Sequence, residues 1–172
     1  LGLAEGRGGR RGPENVWGSA FTGFVLALLI AAGIGSPALL LIGFSASFAA
    51  KLADTFGSEI GKRWGRTTLL ITTLRPVPAG TEGAVSVEGT LASAVGSLLM
   101  TVVVALLGLL QSGAACALVL VVGFIATLLE SLLGALGQDR WSWLSNELVN
   151  GLQTAWAAGL AMLAAWLLGV SG

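Results

Sequence analysis

The sequence has 172 residues with a formal net charge of zero, of which 55% are hydrophobic and only 10% are charged. Typical soluble domains carry roughly 25% charged residues, so the composition excludes an ordinary water-soluble domain and indicates an integral membrane protein. Because there is no histidine and Cys116 is the only cysteine, internal disulfides, zinc-finger sites and histidine-based catalytic triads are also excluded.

The chain begins with a basic, glycine-rich tail over residues 1–15. Its GRGGRRG segment is too short and irregular for a nucleotide-binding glycine loop, and it lacks the strand and helix that such a loop requires. We therefore expect a flexible lead-in and no nucleic acid partner. No basic stretch leads into an apolar segment at the N-terminus, so no cleavable signal peptide is expected.

Charge-free windows predict the membrane-spanning helices, since each helix needs about 20 apolar residues to cross a bilayer. The window 16–50 is interrupted by glycine and proline at 33–37, and the window 90–129 is interrupted at 111–113. The predicted helices span residues 17–34, 38–56, 90–110, 114–136 and 145–168. Because β-alternation is absent, we predict an all-α, polytopic helix bundle with about five transmembrane helices, forming a single domain over residues 1–172.

Counting crossings places the polar segments on one side of the membrane. The tail, a long loop over 57–89 and a shorter loop over 137–144 share that side, and every basic residue lies there or at an adjacent helix end. By the positive-inside rule, this side is the cytoplasm or its organelle equivalent. The basic residues are Arg7, Arg10, Arg11, Lys51, Lys62, Arg63, Arg66, Arg75 and Arg140.

Polar residues at helical spacing end the second helix. If this helix continues two turns past the membrane, Lys51, Asp54, Ser58 and Lys62 share one face. A carboxylate between lysines suits a magnesium and phosphate site, because Mg²⁺ takes one or two protein carboxylates together with substrate phosphates. The alternative interpretation is a basic interfacial loop whose lysines and arginines contact anionic lipids.

Further polar residues lie at the same depth in the last two predicted helices. Glu130 lies near the cytoplasmic end of the fourth helix, and Asn146, Asn150 and Gln153 share a narrow face at the start of the fifth. Ionisable groups in membrane helices usually face a bundle interior and mark functional sites. The alternative is that Asn150 and Gln153 simply hydrogen-bond neighbouring helices. The carboxylates expected to converge are Asp54, Glu59, Glu130, Asp139 and Glu147.

Small residues in the third helix predict packing surfaces, not sites. They form two stripes, one of Gly89, Ser93 and Ser97 and one of Ala92, Gly96 and Met100.

Five segments together resemble the membrane family that includes plant phytyl-phosphate kinase. They are RGPENVWGSA at 11–20, ADTFGSEIGK at 53–62, LITTLRPVPAGTEGAVSVEGT at 70–90, ESLLGALGQ at 130–138 and LSNELVNGLQT at 144–154. A more distant similarity links an aspartate followed by IGK and a later EGT element to CTP-dependent polyprenol kinases and phosphatidate cytidylyltransferases. The chain departs from the family pattern at Glu82, where Asn or Asp is more frequent, and at Gly57, where Ala is common.

The resemblance implies an enzyme that transfers the γ-phosphate of CTP or another nucleoside triphosphate to an isoprenoid monophosphate such as phytyl phosphate. Mg²⁺ is the expected cofactor, and membrane lipid, the isoprenoid phosphate and the nucleotide are the expected partners. The sequence leaves a homo-oligomer open, and it does not define the prenyl chain length.

Together, the residues and the resemblance assign roles within this mechanism. Asp54, Lys62 and Glu130 are predicted to be catalytic. The predicted metal ligands are Asp54, Glu59, Glu130 and Asp139. The predicted substrate and nucleotide contacts are Lys51, Ser58, Arg75, Gly80, Thr81, Gly83, Asn146 and Asn150, in which the glycines and Thr81 form a turn that lets backbone amides approach a phosphate.

Two hypotheses from other classes compete with the kinase. An ion- or proton-coupled transporter would use the same carboxylates to bind a cation, but the sequence shows no inverted repeat and the non-cytoplasmic halves of the helices lack polar groups. A non-catalytic scaffold is disfavoured by the concentration of carboxylates. Magnesium-dependent nucleotide binding would separate the kinase from both.

Overall fold

The computed structural model describes residues 12–138, 141 and 143–170. Within these residues, five helices are long and apolar enough to cross a membrane. They are α1 (Pro13–Ala31), α2 (Pro37–Trp64), α3 (Val87–Leu106), α4 (Gly113–Leu133) and α5 (Asn146–Leu168), and a π-helical turn at Gly134–Gln138 extends α4. The predicted all-α membrane bundle with five spanning helices is confirmed.

Local sequence signals explain where the helices begin. Pro13 and Pro37 occupy first positions of α1 and α2, where a missing N–H costs nothing. Serine hydroxyls cap the other three helices by accepting a hydrogen bond from a backbone N–H in the first turn. These serines are Ser86, Ser112 and Ser145. Because Ser86 caps α3, this helix begins three residues earlier than the charge pattern predicts.

Helix α2 lies at the centre of the bundle and packs against each of the other four helices. Its buried side is built from Ile42 and a series of alanines, which join α3, α4 and α5 in one apolar core. At 28 residues, α2 is also the longest helix, and at 1.5 Å per residue it measures about 42 Å. It therefore extends beyond the roughly 30 Å hydrocarbon core. This length agrees with the prediction that the second helix continues two turns past the membrane.

The contact between α2 and α3 is the most extensive in the bundle. A Cβ atom added at Gly96 would lie 2.7 Å from the carbonyl oxygen of Leu52, and one added at Gly89 would lie 2.8 Å from that of Gly57. Ser93 and Ser97 are also buried. The predicted small-residue stripes therefore do form a packing surface, along which the two helix backbones approach closely.

A short β-hairpin lies in the polar loop between α2 and α3, in addition to the predicted helices. Strands β1 (Leu69–Leu70) and β2 (Ala84–Val85) pair antiparallel, with Leu69 opposite Val85. Strands of two residues are too short to produce the alternation that reveals a strand in sequence. The loop predicted over 57–89 is also shorter, since α2 continues to Trp64 and α3 begins at Val87.

Candidate functional site

A polar cavity of about 630 Å³ opens at one end of the bundle. It lies where α1, α3 and α5 begin and where α2 and α4 end, and the segment 79–86 covers part of it. Four of the residues that line it are apolar, namely Ala79, Ala84, Val85 and Leu128. The others are charged, polar or glycine, so the cavity suits a highly polar ligand such as a phosphate group.

Helix α2 contributes the polar face that its sequence predicted. Lys51, Asp54, Ser58 and Lys62 all line the cavity, because residues three or four apart lie on the same side of a helix. The hydroxyl of Ser58 donates a hydrogen bond to the carbonyl oxygen of Thr55, at 3.2 Å. Two lysines and one carboxylate of a single helix thus border the same space.

Lys51 links α2 to α5 at the cavity. Its ammonium nitrogen lies 2.7 Å from Asp54 Oδ2 and 2.7 Å from Asn150 Oδ1. The side chains of Lys51 and Asp54 are only 17% and 16% exposed, and Asn150 is 5% exposed. A charge held in this way is well shielded from solvent and has a defined position.

Glu130 approaches the cavity from α4. Its electrostatic neighbours include the carboxylates of Asp54 and Glu82 and the ammonium groups of Lys51 and Lys62. Two carboxylates with nearby phosphate oxygens are a sufficient protein contribution to a Mg²⁺ site. Across the described residues, no group of three acidic, cysteine or histidine side chains comes together as a preformed metal site.

The predicted phosphate-binding turn has two glycines in different surroundings. Gly80 and Gly83 both have positive φ angles, of 92° and 73°, which glycine adopts readily. A Cβ atom at Gly80 would meet nothing within 4 Å, whereas one at Gly83 would overlap Ala135 and Ser131. Gly80 therefore leaves room for a ligand, while Gly83 lets the turn pack against the end of α4. Thr81 closes the turn by donating from its hydroxyl to the Pro78 carbonyl oxygen, at 2.8 Å.

Two of the predicted site residues that the structure describes do not line the cavity. Glu59 follows Ser58 directly, so it points about 100° away around α2, and its side chain is exposed. Arg75 lies in the hairpin connection, where its residue is exposed. Asp139 lies outside the described residues. The metal role of Glu59 and the phosphate role of Arg75 therefore have no support from this geometry.

Several cavity residues carry no role in the sequence-based assignment. Asn15 and Ser19 of α1 and Glu82 of the turn are among them, and Glu147 of α5, predicted only as one of the converging carboxylates, also lines the cavity. Asn15 donates from Nδ2 to Glu147 Oε1 at 3.5 Å, which connects the first turns of α1 and α5. The four-residue spacing of Asn15 and Ser19 is the sequence signal that could have identified the α1 pair.

The amide side chains predicted on α5 can be interpreted either as part of a functional site or as hydrogen bonds between helices, and the structure contains both kinds. Asn146 lines the cavity beside Asn150. Gln153 does not, and its Nε2 donates to the Ala50 carbonyl oxygen at 3.3 Å and to Thr127 Oγ1 at 3.4 Å. Gln153 therefore connects helices, as the structural alternative predicted for it. Asn150 contacts another helix as well, but it does so through a charged group at the cavity.

Comparison with known proteins identifies the family to which this chain belongs. Residues 1–158 match the family described as integral membrane protein DUF92. An uncharacterized membrane protein of Synechocystis sp., sll0875, is 52% identical over 162 residues, which cover 94% of this chain and 62% of the relative. Protein VTE6, chloroplastic, of Arabidopsis thaliana is 44% identical over 167 residues, covering 94% of this chain and 50% of the relative.

A third relative is similar over a smaller part of the chain. The uncharacterized membrane protein MJ0933 of Methanocaldococcus jannaschii is 37% identical over 146 residues, covering 84% of this chain and 58% of the relative. The chain thus spans between half and about three-fifths of the length of these curated relatives. No solved structure matches. The family match over most of the chain, together with these relatives, shows that this protein is a member of the DUF92 family of integral membrane proteins.

Proposed function

We propose that this protein is a membrane-bound kinase that uses a nucleoside triphosphate, CTP among the candidates, to convert an isoprenoid monophosphate to its diphosphate. The single observation that carries this proposal is a polar cavity with two lysines and facing carboxylates at one end of an apolar helix bundle. The likeness of the chain to the family that includes plant phytyl-phosphate kinase supports the same reaction. The substrate and the nucleotide preference are part of the proposal.

The position of the cavity suits a substrate with a lipid tail and a phosphate head. The outer faces of the helices are apolar, with exposed residues such as Phe24, Leu98 and Leu163, so they match the hydrocarbon core. The cavity lies at the polar end of the same bundle. An isoprenoid chain can therefore stay among apolar groups while its phosphate reaches the lysines and a nucleotide arrives from water.

In the proposed reaction, an oxygen of the acceptor phosphate forms a bond to the γ-phosphorus of the nucleotide. The bond from that phosphorus to the β,γ-bridging oxygen breaks, and the nucleoside diphosphate leaves. Such transfers require mainly positioning and charge neutralisation from the protein. The acceptor phosphate is already ionised at neutral pH, so a strong general base is less necessary than for an alcohol.

Individual residues take the following proposed roles. Lys51 and Lys62 bind phosphate oxygens as point charges, and Gly80 gives a ligand access to the backbone of the turn. The oxygen donors of Asp54 and Glu130 fit Mg²⁺, which prefers carboxylates and water. When bound, Mg²⁺ supplies positive charge that offsets the charge of the triphosphate.

Turnover of the purified protein tests the proposal. The protein is incubated in detergent with CTP, ATP, GTP or UTP and with phytyl phosphate or another prenyl monophosphate, and the prenyl diphosphate is measured. We expect diphosphate formation that requires magnesium and is abolished by EDTA. If no nucleotide yields diphosphate, while the reconstituted protein moves cations or protons across liposomes, the transporter hypothesis replaces the kinase.

A further inference from the structure

The contact between Lys51 and Asn150 indicates that these two residues have different roles in the cavity. Lys51 donates to Asp54 Oδ2 and to Asn150 Oδ1, at 2.7 Å in each case. A lysine ammonium has three N–H donors and no acceptor. Among the described residues, protein groups therefore occupy two of the three, and one N–H is left for a ligand oxygen.

The same contact fixes the orientation of the Asn150 amide. Because the ammonium can only donate, Asn150 must direct its carbonyl oxygen toward Lys51. Asn150 is 5% exposed and lies on α5, whereas Lys51 and Asp54 lie on α2. The lysine head is thus held from two helices, and this restricts a four-carbon stem that is otherwise flexible.

We propose that Asn150 is a positioning residue that holds the Lys51 ammonium at the cavity, so that its remaining N–H meets the phosphate being transferred. This inference rests on the proposed kinase function. It adds a role to the predicted contact of Asn150 with the substrate: the carbonyl oxygen binds Lys51, whereas a phosphate oxygen would be contacted by the amide N–H groups. A charge fixed before the reaction requires no reorganisation when the transition state forms.

Without Asn150, the carboxylate of Asp54 remains as the neighbour that attracts Lys51. The ammonium then turns toward Asp54 and away from the phosphate, and it also competes with a cation for that carboxylate. Both effects slow the transfer step more than they weaken nucleotide binding. We therefore expect the loss of Asn150 to change mainly kcat.

The first test compares three variants at saturating prenyl phosphate. Asn150→Ala removes the acceptor, and we expect kcat to fall about 100-fold, the usual effect of losing one preorganised group, with a smaller change in KM for the nucleotide. Asn150→Asp retains an acceptor oxygen for Lys51, so its kcat should exceed that of Asn150→Ala. Thr154→Val is the control. Thr154 is buried on the same helix with its hydroxyl 2.9 Å from that of Thr22, and its variant should lose stability without losing kcat per folded molecule.

The second test does not depend on kinase activity. Wild-type and Asn150→Ala proteins are treated briefly with an amine-reactive acetylating reagent, and acetylation of Lys51 is quantified by mass spectrometry. We expect Lys51 to react several-fold faster in Asn150→Ala, because its ammonium has lost an anchor, while Thr154→Val reacts like the wild type.

The outcomes separate this inference from the proposed function. An unchanged rate of Lys51 acetylation, or a kcat loss in Asn150→Ala no larger than in Thr154→Val, overturns the positioning role. Absence of diphosphate formation in the wild type overturns the kinase proposal. If acetylation still rises in that case, the link between Asn150 and Lys51 stands and its role in phosphoryl transfer is rejected.

Discussion

Asp54 forms an ion pair and is also a proposed metal ligand. One of its oxygens accepts from Lys51, and a carboxylate retains further lone pairs for a cation. Asp54→Asn keeps the shape of the side chain but removes its charge. We expect turnover to fall by at least about 100-fold, because the attraction for the metal and its stabilisation of transition-state charge are lost. Turnover and melting temperature are measured on the same preparation.

The stability of Asp54→Asn distinguishes the two roles of this carboxylate. The neutral amide retains an acceptor oxygen for Lys51 and is easier to accommodate within a membrane helix than a carboxylate, so the melting temperature should change little. Glu88→Gln is a suitable control, since Glu88 lies in the first turn of the neighbouring helix α3 but does not line the cavity. Near-normal turnover of Asp54→Asn together with a clearly lower melting temperature would show that Asp54 acts only as the ion-pair partner of Lys51 and not as a metal ligand.

At the scale of the elements, the close contact between α2 and α3 predicts a strong effect of a single methyl group. A Cβ atom at Gly96 would lie 2.7 Å from the Leu52 carbonyl oxygen and 3.0 Å from the Ala53 Cα. Gly96→Ala must therefore push the two helix backbones apart, and we expect a loss of about 1–3 kcal/mol. Thermal unfolding in detergent, followed by circular dichroism, measures the effect.

A second glycine provides the matched control for this interface. Gly159 also lies within a helix, but a Cβ atom there would meet nothing within 4 Å. Gly159→Ala should leave the melting temperature unchanged or raise it, because alanine is the better helix former. Equal destabilisation by both substitutions would show that the close approach of α2 and α3 is not the cause of the stability loss in Gly96→Ala.

The sequence predicts the helices well because their signal is local. Charge-free windows define the spans, and helical spacing correctly groups Lys51 with Asp54, Ser58 and Lys62. The same spacing argues against Glu59, which follows Ser58 and so cannot share its face. By contrast, the hairpin of Leu69 and Val85 depends on partners 16 residues apart, and the place of Asn15 beside Glu147 depends on how α1 packs on α5. Such tertiary contacts leave no periodic pattern.

At the scale of the whole molecule, the distribution of charge predicts a single polar end. Every charged side chain in the described ranges lies at the end of the bundle that holds the cavity, whereas the turn between α3 and α4 is uncharged. Thr72, in the hairpin connection, and Gln111, in that opposite turn, are both exposed. In a Cys116→Ala background, Thr72→Cys and Gln111→Cys should react with a membrane-impermeant maleimide from opposite sides of sealed vesicles.

The positive-inside rule adds a direction to this experiment. Thr72→Cys is expected to react from the cytoplasmic or equivalent side, since the basic residues within the described ranges all lie at that end. A protease-treated or permeabilised sample controls for vesicle leakage. Reaction of both cysteines from the same side would contradict the five-helix arrangement.

The polar lining of the cavity has a consequence for how the rate of the proposed reaction should be described. Because only four of the residues that line the cavity are apolar, a prenyl phosphate bound as proposed would keep its hydrocarbon tail in the lipid, and its binding would be an encounter within a two-dimensional fluid. The relevant substrate concentration is then the mole fraction in the bilayer or micelle. Adding inert detergent at a constant bulk amount of substrate should slow turnover by surface dilution, even though nothing in the aqueous phase has changed.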